Sequence, residues 1–403
     1  MEETFRTFHW ILSLAGISFF AKSHWDSKIW LALQIFNAVF ATLACICIGV
    51  FVIENFSNLE TVIQVASSWA TGMLVFISFG ICLLFRGKFR MFLNEMAFKD
   101  GMVEMSLIGH VLSLERGTKL YELKTMVIQS EEKLLTVSRK LLKTYMGSIF
   151  LCVTLYLLNP IYVMIVTEDK TLRLFAFEMW YPWSLENFKL YIVSFTIQAY
   201  AGYTCCVGIP GLQCTVFLLV SQVIRQLKLL THILLNLNEL VEELVLNKPE
   251  ERQKYCTSVL SQCVDHYVKL KSFSNKLNII CRPFYVVLIM DAIMIVCMCS
   301  VKIALSDKFS LDTVKYYLHV SIFVFMVFIF CLLGQQVENE CEQLEHSVTE
   351  KWYTFDQSHI KHVLIFKMAL SQGMPIFIFG SVTLALPTFT WGLQFFVQCG
   401  KSF

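Results

Sequence analysis

Charge is what this sequence has least of. Only 16% of its 403 residues are Asp, Glu, Lys or Arg, where a soluble globular chain carries about a quarter. Basic and acidic side chains nearly cancel, leaving a formal net charge of +2, so nothing in the overall balance draws the chain to nucleic acid or anionic substrates. Catalytic signatures are missing as well. There is no HExxH, no GxSxG and no phosphate-binding glycine loop, and an enzyme is not expected. Seven prolines and no Pro/Ser-rich linker leave no seam for a second domain, so 1–403 reads as one unit. Cysteine is plentiful at 15, but zinc-finger spacing is absent. Cys45, Cys47, Cys82, Cys152, Cys205, Cys206, Cys214, Cys297, Cys299 and Cys331 sit in apolar runs, and the set reads as small buried hydrophobes rather than disulfides. The pair His359 and His362, on a segment read as solvated, carries no expectation of a metal. No cofactor is implied.

What is present is bulk hydrophobicity: 56% apolar residues, 35 Phe and a mean hydropathy of +0.60. Runs of about 20 apolar residues cross a bilayer as helices. Seven occur, and helices are expected at about 29–53, 61–85, 145–166, 190–224, 283–305, 316–337 and 373–399. The fourth and seventh runs exceed what a bilayer needs and must tilt, break or project. Pro160, Pro210, Pro375 and Pro387 interrupt three runs, each removing a backbone donor, and the two flanking Gly380 favour a seventh helix in two pieces. Asp291 is the one acid inside a run, read as either a structural partner or a polar group on a permeation path. The N-terminal stretch has acidic Glu2 and Glu3 and an uncharged run too short to span. A helix at the interface or packed in the bundle is expected there, not a cleaved signal.

Lys and Arg set orientation. Of 33, 26 fall in the N-terminal segment and in 86–144, 225–282 and 338–367. By the positive-inside rule the N-terminus lies in the cytoplasm and the C-terminus outside, opposite to a G-protein-coupled receptor. The sequon at Asn55 then falls outside. Leu227, Leu230, Leu234, Leu237, Val241 and Leu244 recur at helical spacing, so the fourth helix should continue beyond the membrane and pack. Segments 225–282 and 338–372 are expected to form a cytoplasmic helical base. The fold class is all-α, a seven-transmembrane-helix protein of inverted topology.

Several segments together resemble the insect odorant receptor family. They are the loop FAFEMWYPWSLENFKLYIVSFTIQ, with Trp180, Tyr181, Pro182 and Gln198; CVDHYVKLKSFSNKLNIICRPFY, with His266; and GQQVENECEQLEHSVTEKWYTFD, KMALSQGMPIF and LPTFTWGLQFF. Within the last three stand Gly334, Glu338, Ser347, Trp352, Tyr353, Ser371, Gln372, Pro375, Thr388 and Phe389. The resemblance implies a ligand-gated, non-selective cation channel in the plasma membrane of sensory neurons. It further implies a heterotetramer with a shared coreceptor. The short connection 225–282 makes this chain similar to a tuning subunit, since the coreceptor has a longer one. Gustatory receptors of the same superfamily, working without the coreceptor, are the alternative. Their last helix shows Thr-Tyr, five residues, then Gln-Phe; here Thr388-Phe389 is followed by four residues before Gln394-Phe395. A G-protein-coupled receptor would need the opposite topology, and a secondary transporter paired inverted repeats; neither pattern is present.

On this resemblance the partners are the coreceptor, a small volatile molecule, membrane lipid and permeating cations, with no nucleic acid. An apolar pocket with few polar groups suits a volatile ligand. Its expected lining is Trp69, Met73, Tyr156, the stripe Tyr191, Phe195 and Gln198, and the stripe Tyr316, His319 and Phe323. In the last helix Thr388, Gly392 and Phe396 share one face, which serves helix packing, a hydrophobic pore gate, or both.

Overall fold

The computed structural model describes residues 9–18, 23–98, 102, 104–115, 119–167, 173–245, 249–305, 311–350, 357–379 and 382–401. Among the described residues, six helices are long and apolar enough to cross a membrane: α1 (His24–Glu54), α2 (Leu59–Leu84), α5 (Lys119–Val166), α6 (Phe188–Leu235), α8 (Arg252–Leu305) and α9 (Leu311–Thr349). Shorter helices α3 (Arg86–Leu93), α4 (Ser106–Ser113), α7 (Leu237–Leu244) and α10 (Gln357–Leu370) gather at one end, the base. Strands β1 (Phe377–Phe379) and β2 (Val382–Thr383) precede the last helix, α11 (Leu386–Lys401).

Apolar content alone does not say which helix is central. The most apolar 18-residue window of α6 is buried throughout, whereas those of α1 and α5 are only 22% buried. Helix α6 is therefore the axis, with α5 and α9 along it and α2 packed on α8. The outer faces carry exposed Ile29, Leu43, Phe150, Leu151 and Ile165, side chains that a bilayer would cover. Before α1, residues 9–14 are helical. Ile11, Leu12 and Ile17 are buried in the bundle core, and Asn37 on α1 donates to the carbonyl of Ala15 (2.9 Å).

Several helices run well past the expected membrane limits. At 1.5 Å per residue, the 54 residues of α8 extend about 80 Å, through Pro283 without a break. Pro160 and Pro210 likewise lie inside continuous helices. The extension of the fourth run ends at Asn236, where the amide donates back to the carbonyl of His232 (2.9 Å) and α7 begins. Leu227, Leu230, Leu237 and Val241 are buried as their spacing predicts. Polar ties hold the base together: the buried Gln226 Oε1 and His266 Nε2 lie 3.1 Å apart, and the exposed Lys228 pairs with Glu340 at 3.4 Å.

The seventh helix needs correction. A helix over 373–399 is expected, but helix begins only at Leu386. Gly373 has φ +54°, a left-handed conformation that stops α10. Pro375 then holds Met374 away from helical geometry, and β1 and β2 pair antiparallel, Phe377 with Thr383. Pro387 occupies the first turn of α11, where its missing N–H is no loss. At 16 residues, α11 reaches about 24 Å. Gly334 on α9 is what lets this segment dock: a Cβ there would fall on the carbonyl oxygen of Leu384.

The 14 cysteines whose side chains are described are all free thiols, most of them buried. His359, expected in a solvated segment, is instead buried and lies 3.3 Å from the Thr257 hydroxyl, while His362 is exposed. Trp352, Tyr353 and Ser381 lie outside the described residues.

Candidate ligand-binding site

At the end opposite the base, the loop 173–187 folds back over the helices. Gln198, on α6 and wholly buried, clamps it. Its Oε1 accepts from the backbone N–H of Ala176 (3.0 Å) and Phe177 (3.2 Å), and its Nε2 donates to the carbonyl of Phe177 and to Tyr181 Oη (2.9 Å). Trp183 donates to Ser194 Oγ (3.0 Å), and the Trp180 N–H reaches the carbonyl of Cys47 on α1 (3.1 Å). Such a loop must satisfy its backbone groups to be buried, and one glutamine satisfies three of them.

Under this lid lies an almost wholly apolar cavity of about 90 Å³, reached by α1, α2, α5, α6 and α9. Ala41 and Cys45 wall one side, Thr71 and Gly72 the next, and Tyr156, Gly202, His319 and Phe323 the rest; Phe177 and Met179 close the top. Its size is below the roughly 150 Å³ of an apolar cavity that takes up benzene. A larger guest requires side chains to move. The polar feature is His319. Its Nε2 lies 3.1 Å from Thr71 Oγ1 and its Nδ1 3.1 Å from Tyr156 Oη. A neutral imidazole has one donor and one acceptor nitrogen, and hydroxyls serve either role. Both nitrogens are thus occupied, and the ring is fixed edge-on to Tyr156 and Phe323.

A second, more polar chamber of about 110 Å³ adjoins the first on the loop side. Ser68, Tyr156 and Phe177 line both. The Tyr156 and Phe177 rings stack with centroids 5.5 Å apart. Asn159, Glu178, Lys315 and Tyr316 face the chamber. Lys315 Nζ sits 5.0 Å from the ring centroids of both Tyr156 and Tyr316.

A third cavity lies beside α11, between Ala292 and Val296 of α8, Val327 and Cys331 of α9, and Thr388 and Gly392. A Cβ on Gly392 would meet nothing within 4 Å, and Trp391 is 64% exposed.

Of the residues expected from sequence to line a ligand pocket, Tyr156, His319 and Phe323 meet at the first cavity. Tyr316 lies in the second chamber. Gln198 holds the loop, and Tyr191 donates to the carbonyl of Leu174 (2.8 Å) with Phe195 beside it. Trp69 packs outside the cavity with Ile48, Val65 and Met179, and Met73 lines none of the three cavities. Thr388 and Gly392 share the seam beside α11 as their spacing predicts; Phe396 is on that helix, its side chain outside the described residues. Asp291 is 5% exposed, and its Oδ2 has no hydrogen-bond partner. Missed from sequence were Thr71, Phe177 and Met179, which carry no period. Lys315 was legible, one turn before His319 on the same face.

The profile of the 7tm odorant receptor family matches residues 111–397. The chain belongs to that family. No curated protein matches it. Among solved structures the receptor is similar to the insect olfactory receptor OR5 from Machilis hrabei, both in complex with eugenol and without it. The eugenol complex superposes with a TM-score of 0.80 at 13% identity, over 99% of this chain and 96% of that one. The structure without eugenol gives 0.78 at 13% identity, over 98% and 96%. The fold is thus that of an insect olfactory receptor, all-α and multi-pass, with the seventh apolar run divided as described.

Proposed function

We propose that this odorant receptor is a tuning subunit of an odorant-gated, non-selective cation channel. It binds a small volatile molecule in the cavity beneath the 173–187 loop and works as a heterotetramer with a shared coreceptor in the plasma membrane of sensory neurons. The observation that carries this reading is the apolar cavity beneath the loop within a bundle of this family; the related OR5 was solved with the small aromatic eugenol. In this reading the N-terminus and base are cytoplasmic and the loop 173–187 is external, in line with the Lys and Arg distribution. The external loop then caps the ligand.

Assembly is supported by apolar side chains that the single chain leaves uncovered. Leu364, Ile365 and Met368 on α10 are exposed at the base, where no lipid would reach them. The face of α11 carrying Thr388, Gly392 and Phe396 borders the pore. Space beside Gly392 leaves room for α11 to shift, and occupancy of the cavity opens the channel only if the ligand binds the open state better than the closed one.

The test is membrane current in cells expressing the chain alone and with an insect coreceptor, during pulses of a volatile panel with G-protein signalling blocked. Odorant-gated cation current that needs the coreceptor is the expected result. Current from the chain alone would transfer the reading to a self-sufficient, gustatory-type channel. A response that only the G-protein block abolishes would overturn the channel.

A further inference from the structure

The wall of the apolar cavity carries few polar side chains, and most of their hydrogen bonds are already made. Thr71 Oγ1 donates its one proton to the Ser67 carbonyl (3.0 Å), so towards His319 it accepts, from Nε2–H. His319 Nδ1 is then the acceptor for the Tyr156 hydroxyl proton. Thr204 donates to the carbonyl of Ala201 (2.7 Å). Ser68 differs. It is half-buried, and among the described residues its hydroxyl has no hydrogen-bond partner. Its place on α2 is also particular. Val65, a turn earlier, lines the polar chamber and not the apolar cavity; Gly72 and Val75, one and two turns later, line the cavity and not the chamber; Ser68 lines both. An unpaired hydroxyl away from water costs free energy that a guest's oxygen would recover.

Resting on the proposed ligand cavity, we infer that Ser68 is the residue that hydrogen-bonds the ligand, and that the ligand is a compact neutral volatile with one oxygen function, an alcohol or a carbonyl compound. The oxygen sits at Ser68, where the two chambers meet, and the apolar body lies along α2 towards Val75. From Ser68 to Val75 the helix rises about 10 Å, which sets the depth open to that body. A hydroxyl donates or accepts, so Ser68 serves an alcohol and a carbonyl alike. In the polar chamber Asn159, Lys315 and Tyr316 already have interactions of their own. Glu178 also lines that chamber and would suit an amine instead. It does not line the apolar cavity, and burial raises its carboxyl above the usual carboxylate value, which weakens its hold on a cation.

The experiment compares 1-hexanol, hexanal, hexane and hexylamine on the full-length receptor and its Ser68→Ala variant. It reads current with the coreceptor and ligand-induced thermal stabilisation of the purified chain. Loss of the hydroxyl should weaken hexanol and hexanal by about three- to tenfold, the size of one neutral hydrogen bond, and leave hexane within about 1.5-fold. Ser68→Thr, which keeps a hydroxyl, should keep the preference for hexanol over hexane. Equal weakening of hexanol, hexanal and hexane would overturn the inference by making Ser68 a packing residue, and so would no change in any of them. Preference for hexylamine, lost in Glu178→Gln, would overturn it in favour of the acid. Stabilisation by hexanol that falls in Ser68→Ala, without any current, would uphold the Ser68 contact while removing the channel reading. Current from other volatiles with no stabilisation by any of the four probes would do the reverse.

Discussion

The cavity beneath the 173–187 loop and the seam beside the last helix are both lined by apolar side chains, yet they are closed by different means. At the cavity, polar groups do the closing: Gln198 holds the lid and His319 joins α9 to α2 and α5. At the seam, closure is steric. Gly334 admits the backbone at Leu384, and apolar side chains of α8 and α9 meet α11 with open space left at Gly392. Hydrogen bonds fix a geometry within tenths of an ångström, whereas apolar contacts allow sliding. The first region is held by directional bonds and the second by apolar contact alone.

Four substitutions would break or sharpen that contrast. The largest effect is expected from Gly334→Val, because its added carbons would occupy the place of the Leu384 carbonyl. A loss of at least about 3 kcal/mol is expected, read as failure of surface delivery and of thermal unfolding in detergent. Normal delivery would mean that the segment docks in some other way. Next is Gln198→Leu, which strips partners from two loop N–H groups and a carbonyl. Stability should fall by about 2–3 kcal/mol, and responses to all ligands should weaken, since Phe177 and Met179 lose their support. If melting temperature is unchanged, the loop does not depend on this residue.

His319→Phe keeps the ring and removes both hydrogen bonds. About 1 kcal/mol of stability should be lost, with a shift of about tenfold or less in half-maximal ligand concentration and an unchanged maximal current. A fall in maximal current alone would place His319 in gating. The smallest folding effect belongs to Gly392→Ala, whose methyl enters open space. Stability should move by under about 0.5 kcal/mol while single-channel behaviour changes. Loss of surface protein instead would assign that face wholly to packing.

Much of this architecture was legible in sequence because bilayer thickness sets a length and composition that a reader can count. Six of the seven runs became the six long helices, and the Leu227 to Val241 stripe was buried where its period placed it. For the seventh run Pro375 and Pro387 pointed to a helix in two pieces, but the first piece carries strands instead of helix, because hydropathy is blind to backbone conformation. Gly373 and Pro375 decide it, together with pairing of Phe377 and Thr383 that no local pattern announces. Tyr156, named singly, and His319 and Phe323, from the stripe on α9, line one cavity. The same reasoning misdirected Gln198 and Tyr191, whose polar atoms turn to the loop backbone, because a period gives a face and not what covers it.

The sequence by itself determined that this chain lives in lipid, that it is helical, and that its final helix presents small residues along one side. Those follow from counts and periods, which are local. Only the tertiary structure decided that α6 is the axis, that one glutamine closes the lid, that both nitrogens of His319 are taken, and that Lys315 borders a second chamber. Each depends on residues far apart in the chain meeting in space, Thr71 with His319 at a hydrogen-bonding distance among them, and such meetings are set by packing rather than by any local pattern.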